Sequence, residues 1–195
     1  EKEQEQYQIE MDNLAKQLSS YQEQSGISKD ERTASKKYTG SWFVDMNNVY
    51  RKGYRDNNEI TKLSEDLTTA LRRVETTKPV ILRRGIWKED LAHMLGFNGK
   101  KSDIDIYWDD INSGDFAAED KGFLSTSPYK SGGFNKDVEL RIYCPAGTHA
   151  AYVDSISTHK GEKETLLQSG SMYRVLKLKE EKGVIVAYLE LLGTD

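Results

Sequence analysis

Apolar positions recur at helical intervals in the first third of the chain. Tyr7, Met11, Leu14, Leu18 and Tyr21 follow at spacings of four, three, four and three, a heptad-like stripe that predicts a helix. The stripe is short for an independent coiled coil, which leaves docking on its own domain or on upstream sequence. "SGISKDERTASKK" breaks the pattern and reads as a polar linker. A second helix is predicted over "YTGSWFVDMNNVYRKG", with Tyr38, Trp42, Met46, Val49 and Tyr50 as its apolar face. A third follows "RDNN", whose Asp and Asn residues suit a cap; its stripe is Ile60, Leu63, Leu67, Leu71 and Val74.

From Pro79 onward the texture changes to short strands. "PVILRRGI" is apolar and β-branched, and a short helix around "WKEDLAHML" follows it. "KGFLSTS", "KDVELRIYCPA" and "THAAYVDSIS" are further strand candidates, and another strand follows "EKE". "SMYRVLKLKEEKGVIVAYLELL" reads as a hairpin turning near Lys182 and Gly183. Helices first and strands afterwards predict an α+β fold instead of alternating βαβ units.

Composition narrows the function classes. The 195 residues are 36% hydrophobic and 31% charged, enough for one domain, with or without a helical annex. A net charge of −4 argues against broad affinity for nucleic acid or anionic membrane. No apolar run approaches the roughly 20 residues of a membrane span. The N-terminus has neither the apolar core of a signal peptide nor an initiator Met, so the chain reads as a mature form or an excised fragment. Cys144 is the only cysteine, which rules out an intrachain disulfide and a thiolate-rich metal site, and its "RIYCP" context predicts a small buried residue. His93, His149 and His159 are scattered without metal-ligand spacing.

Most local motifs dissolve on inspection. "GFNGKKS" has too few residues between Gly96 and Gly99 for a phosphate loop and follows a helix pattern. "SDIDIYWDD" gathers Asp103, Asp105, Asp109 and Asp110 without the spacing or glycine of a calcium loop, and reads as a solvated acidic loop. Glu162 and Glu164 alone read as a solvated strand edge. Arg84 at a strand end suits phosphate or carboxylate, or an ordinary ion pair. In an extended strand Ser125 and Ser127 share one face and Thr126 the other.

Order changes the picture. "LRRG" with Arg84, "GFLSTSP" with Ser125, Thr126 and Ser127, and "EKE" with Glu162 and Glu164 stand in sequence. In this the chain resembles the mono-ADP-ribosyltransferase exoenzymes, the group that includes the enzymatic components of clostridial binary toxins. "YTGSWFVDMNNVYR" also looks like the Tyr-Thr helix, with downstream Asn and Arg, that precedes their core. The resemblance spans roughly residues 38 to 192. It implies N-terminal helices packed on a mainly antiparallel two-sheet β core, with a helical segment and linker over 1–30 and the catalytic domain over 31–195.

The resemblance implies NAD as substrate, with no metal. Glu164 matches the catalytic glutamate, which stabilises positive charge on the ribose as the nicotinamide bond breaks. Ser125 is implied to orient Glu164, and Thr126 and Ser127 to support the strand and the nicotinamide pocket. Arg84 would hold the NAD phosphates, and the Gly85 backbone the nicotinamide amide. Asn47 and Arg51, four apart on one helix face, would contact NAD from the helical side. Arg83 is the alternative to Arg84 under a one-residue shift. Phe134, in the "PYKSGGFNK" loop, would cover the nicotinamide, or that loop is a solvent-facing turn. Glu162, two before the catalytic Glu, accompanies arginine acceptors, whereas Gln there accompanies asparagine or cysteine. "DSISTHKG" matches the target-recognition loop, from which Tyr152 and His159 reach a partner, or is a flexible polar connection.

The implied partner is a target protein with an acceptor arginine, actin by the binary-toxin resemblance. The implied setting is a secreted or injected effector acting in the target-cell cytoplasm, as part of a larger toxin or paired with a delivery component. Two competitors share the core: a NAD glycohydrolase without a protein target, and a non-catalytic adaptor domain of the same fold.

Overall fold

The computed structural model describes residues 28–128, 136–153 and 164–194. The heptad-like stripe from Tyr7 to Tyr21 lies outside the described residues. So do Phe134, Glu162 and most of the two loops read around them.

The stretch read as a polar linker is helical instead: α1 spans Lys29–Lys37. Ser28 caps it, accepting from the Glu31 amide at 3.2 Å, and the Ser-x-x-Glu spacing of a capping box is the signal that the linker reading passed over. Ala34 is fully buried, and Glu31 pairs with Arg73 of the third helix, which fixes an otherwise polar helix to its neighbours. A π-helical turn at Tyr38–Trp42, kinked at Gly40, leads into α2, Phe43–Arg51. α3, Asn58–Arg72, starts at the Asn57 cap, and Leu63, Leu67, Leu71 and Val74 of its stripe are buried.

Eight strands follow among the described residues: β1 Val80–Ile86, β2 Ala117–Asp120, β3 Leu124–Thr126, β4 Val138–Cys144, β5 Ala150–Tyr152, β6 Thr165–Leu167, β7 Ser171–Glu181 and β8 Val184–Thr194. They form a five-stranded sheet in the order β1-β4-β8-β7-β2 and a three-stranded sheet in the order β3-β6-β5. All pairs are antiparallel except β4 with β8. The β7–β8 hairpin turns at Lys182 and Gly183, with φ of 52° and 77°, as a two-residue turn of twist-matched hand requires. β2 is the strand that periodicity missed, because four residues of "AAED" show no alternation long enough to read.

α4, Lys88–Met94, α5, Ser102–Ile106, and α6, Trp108–Ile111, connect β1 to β2. The last two correct the reading of "SDIDIYWDD" as a solvated loop. Ile104 and Ile111 are fully buried, while Asp105, Asp109 and Asp110 face water together with Ile106 and Tyr107.

Two apolar clusters result. The larger joins Leu82, Leu140, Ile142 and Leu189 of the five-stranded sheet to Leu91, Ile104 and Ile111 of the helices and Leu124, Ala150 and Leu167 of the small sheet. The smaller joins Ala34, Tyr38, Met46, Leu67 and Leu71 to Phe123, Ala151, Val153 and Leu166. Leu166 and Leu167 thus enter opposite clusters, as strand alternation demands. The small sheet is a middle layer buried on both faces, with β6 at its centre. Cys144 is buried as its sequence context predicts, and burial pushes its thiol up to about 12. Among the described residues, no helix is long and apolar enough to cross a membrane.

Candidate active site

Glu164 is the residue immediately before β6, at the end of the doubly buried middle strand. Its carbonyl accepts from the Val153 amide at 3.0 Å, and Thr165 pairs with Thr126 across β3. The two residues of β3 that carry hydroxyls divide as alternation predicts. Thr126, 3% exposed, turns inward and donates to the Thr165 carbonyl at 2.6 Å. Ser125 turns the other way and donates to Glu164 Oε1 at 2.5 Å. One hydroxyl pins the strand and the other orients the carboxylate, the range of a charge-assisted O–H···O bond.

β1 runs past this pair. Arg83 exchanges both backbone hydrogen bonds with Ser127, at 2.8 and 2.9 Å, and so ties the large sheet to the end of the Ser-Thr-Ser strand. Side chains of Arg83 and Arg84 project to opposite faces. Arg83 is buried, its Nη1 3.6 Å from Glu139 Oε1, while Arg141 Nε and Nη2 take Glu139 Oε2 at 3.0 and 2.8 Å. Arg84 is half-buried and makes no ion pair with a described residue. Its charge acts on Lys136, whose ammonium is pushed down by burial first and by Arg84 second. Gly85 is buried within the same strand, opposite Glu139.

The helical side meets the same strand through its entry turn. Asn47, 4% exposed, spends both ends of its amide on protein: Nδ2 donates to Tyr38 Oη at 2.9 Å, and Oδ1 accepts from the Phe123 amide at 2.7 Å. Arg51 Nε and Nη2 donate to the two Asp120 oxygens at 3.0 and 2.9 Å, and Nη2 also reaches the Phe123 carbonyl at 3.0 Å. Burial works against the Arg51 charge, yet Asp120 holds its pKa above the ordinary value. Burial likewise pushes the Tyr38 phenol up. Asn47 and Ser125 oppose the rise, as does Arg51, while the Glu164 carboxylate adds to it. Tyr38 Oη is held between the Asn47 amide, at 2.9 Å, and the Phe123 carbonyl, at 3.5 Å.

The fold thus brings Ser125, Thr126, Ser127, Glu164 and Arg84 to one junction, with Asn47 and Arg51 on its helical side. Tyr38, Asp120, Phe123 and Lys136 belong to the same junction and carry no role in the sequence reading. The Asp-x-Gly of "EDKGF" is a turn signal that could have pointed to Asp120. Glu162 and Phe134 lie outside the described residues. Among the described residues there is no group of His, Cys, Asp and Glu suited to a metal ion. Chemically, a carboxylate held by a serine stands near a set of cations. That arrangement suits a substrate with an anionic part and a centre where positive charge develops.

Comparison with known proteins gives a family and several similar folds. The family model described as ADP-ribosyltransferase exoenzyme matches residues 4–191. No curated protein matches the sequence. Among solved structures, Plx2a, an ADP-ribosyltransferase toxin from Paenibacillus larvae, superposes with a TM-score of 0.77 at 19% identity, covering 98% of this chain and 97% of its own. C3stau2 from S. aureus, solved with NAD, gives 0.73 at 19% identity, covering 95% and 96%. BECa, an ADP-ribosylating toxin of a C. perfringens binary enterotoxin solved with NADH, gives 0.74 at 15% identity, covering 96% of this chain and 48% of the longer one.

Proposed function

This chain belongs to the ADP-ribosyltransferase exoenzyme family, and from that premise we propose that it cleaves NAD at the nicotinamide–ribose bond and transfers ADP-ribose to an arginine of a target protein. The observation that carries the reading is the 2.5 Å bond from Ser125 to Glu164 at the end of a strand buried on both faces. A carboxylate so held stabilises the oxocarbenium-like ribose more than the neutral ground state, because the charge it complements exists only as the bond breaks. The site's other residues fit the rest of NAD. The Arg84 charge acts on Lys136, and Arg51 stands on the helical side of the same junction. Such a set suits a pyrophosphate.

In the proposed reaction the nicotinamide nitrogen leaves with the bonding electrons, and an arginine Nη of the target attacks the ribose carbon from the opposite face. Glu162 pairs with the incoming guanidinium and takes the proton that nitrogen loses. Asn47 acts behind Tyr38 and Phe123, and Gly85 keeps the β1 backbone open to the nicotinamide amide. The catalytic unit lies within residues 31–195. The protein works as a toxin component delivered to, and acting in, a target-cell cytoplasm.

The test is incubation with labelled NAD and cell lysate. The native protein labels one or a few proteins, and mass spectrometry places the label on arginine. Glu164→Gln abolishes the labelling by at least about a thousandfold, the scale of losing a principal electrostatic stabiliser. Full labelling by that variant sinks the assignment. Free ADP-ribose without protein-bound label would instead identify a NAD glycohydrolase.

A further inference from the structure

We propose that Asp120 and Gly122 are positioning residues for Arg51, forming a turn that holds its guanidinium ready for the NAD pyrophosphate. The proposal rests on the reading of Arg51 as a NAD contact, and adds what prepares it.

Arg51 closes α2 with a long side chain that is 40% exposed, whereas the Asp120 side chain is 7% exposed. The carboxylate lies behind and the guanidinium in front. Asp120 Oδ1 accepts from the Gly122 amide at 3.0 Å as well as from Arg51 Nε, so the turn fixes the acid that receives the arginine. Arg51 Nε and Nη2 are used on Asp120 and the Phe123 carbonyl. Nη1 makes no hydrogen bond to a described residue, which leaves one edge of the fork for a ligand.

Gly122 makes room for this arrangement. A Cβ there would lie 2.6 Å from Arg51 Nε and 2.7 Å from Asn47 Oδ1. Arg51 lies across the turn at a height that only glycine permits.

Two effects of Asp120 oppose each other. Its charge offsets part of the attraction of Arg51 for phosphate, and water screens that loss at a partly exposed pair. Its two hydrogen bonds remove most of the rotamer freedom of an arginine, which otherwise has to be given up when NAD binds. Oriented contact is the larger effect for a planar fork, so the clamp favours binding.

Steady-state NAD hydrolysis and direct NAD binding by tryptophan fluorescence test this on the full chain, with thermal melts as a control for folding. Asp120→Asn keeps the shape but puts an amide donor against Arg51. It raises KM and Kd for NAD about tenfold, with kcat within about threefold. Gly122→Ala displaces the guanidinium with both charges intact and raises KM and Kd at least as much; its Cβ also meets the pinned Asn47 Oδ1, so its Tm falls below that of Asp120→Asn. Arg51→Lys, which cannot fork, raises KM comparably, and adding Asp120→Asn to it raises KM no more than about twofold further.

A KM within twofold of native for both Asp120→Asn and Gly122→Ala overturns the proposal, as do additive effects in the double variant. An unchanged KM in Arg51→Lys overturns it too, by removing the contact on which it rests. Because Kd is read without turnover, a chain that binds NAD but never cleaves it would sink the proposed transfer and leave the clamp standing.

Discussion

Ser125 and Glu164 stand 39 positions apart in the chain and 2.5 Å apart in space. Each is ordinary alone: a serine on a short strand and an acid beside a loop. Their meeting follows from the pairing of β3 with β6, which sets Ser125 opposite Leu166 and so leaves Glu164, two residues before Leu166, diagonal to Ser125 on the same face. The same scale separates Arg83 from Arg84. The sequence admits either as the NAD arginine. In the folded strand Arg83 is committed to Glu139 on one face, and Arg84, on the other, makes no ion pair with a described residue. On the proposed reading Glu162 sets the acceptor, and the expected behaviour of Glu162→Gln is then a split. Protein labelling falls at least about a hundredfold, within the range for losing a general base. NAD hydrolysis falls less than about tenfold, since Glu164 still serves bond cleavage. Parallel measurement of protein-bound label and free ADP-ribose checks this, and equal losses of both count against the division of labour between the two glutamates.

Elements legible in the sequence were those with a long period or a strong turn signal. The α3 stripe and the β7–β8 hairpin have both, and they lie where the pattern put them. α1, α5 and α6 carry no legible stripe because their buried apolar residues are few, Ala34 in one case and Ile104 and Ile111 in the others. Such helices depend on partners instead of periodicity. For α1 the partner is Arg73, whose hydrogen bond holds Glu31 below the usual 4.5 of its carboxyl. A carboxyl lowered in the folded state stabilises fully above its unfolded value and loses that contribution as pH falls through the lower folded value. Arg73 is 42% exposed, so screening keeps the pair below about 1 kcal/mol, or roughly 2–4 °C in a chain of this size. Glu31→Gln therefore melts a few degrees below the native protein at pH 7. The gap persists to about pH 5 and closes in the acid range below 4.5. A gap that widens in acid would mean that Glu31 acts through something other than its charge.

At the scale of the molecule, two apolar clusters share the three-stranded sheet as a common wall. The helices that carry Asn47 and Arg51 and the sheet that carries Arg84 are thereby docked on opposite faces of the strands that carry Ser125 and Glu164. A ligand seated at that junction touches both clusters' supports and stabilises the whole. The expected behaviour of Glu164→Gln is to bind NAD without consuming it, so that NAD at about 100 times its Kd adds about 2.7 kcal/mol, a rise of roughly 5–10 °C in Tm. An unchanged Tm at millimolar NAD would favour the non-catalytic adaptor reading. From sequence alone came the order of helices before strands and the ordered Arg84, Ser125 and Glu164 set. The reason is that period, turn chemistry and residue type are local properties of the chain. Only the tertiary structure decided that Arg83 is the arginine committed to Glu139, that Asn47 spends its amide on Tyr38 and Phe123, and that Asp120 holds Arg51. Those choices depend on which strand faces and turns are packed together across the chain, and local pattern carries no record of that.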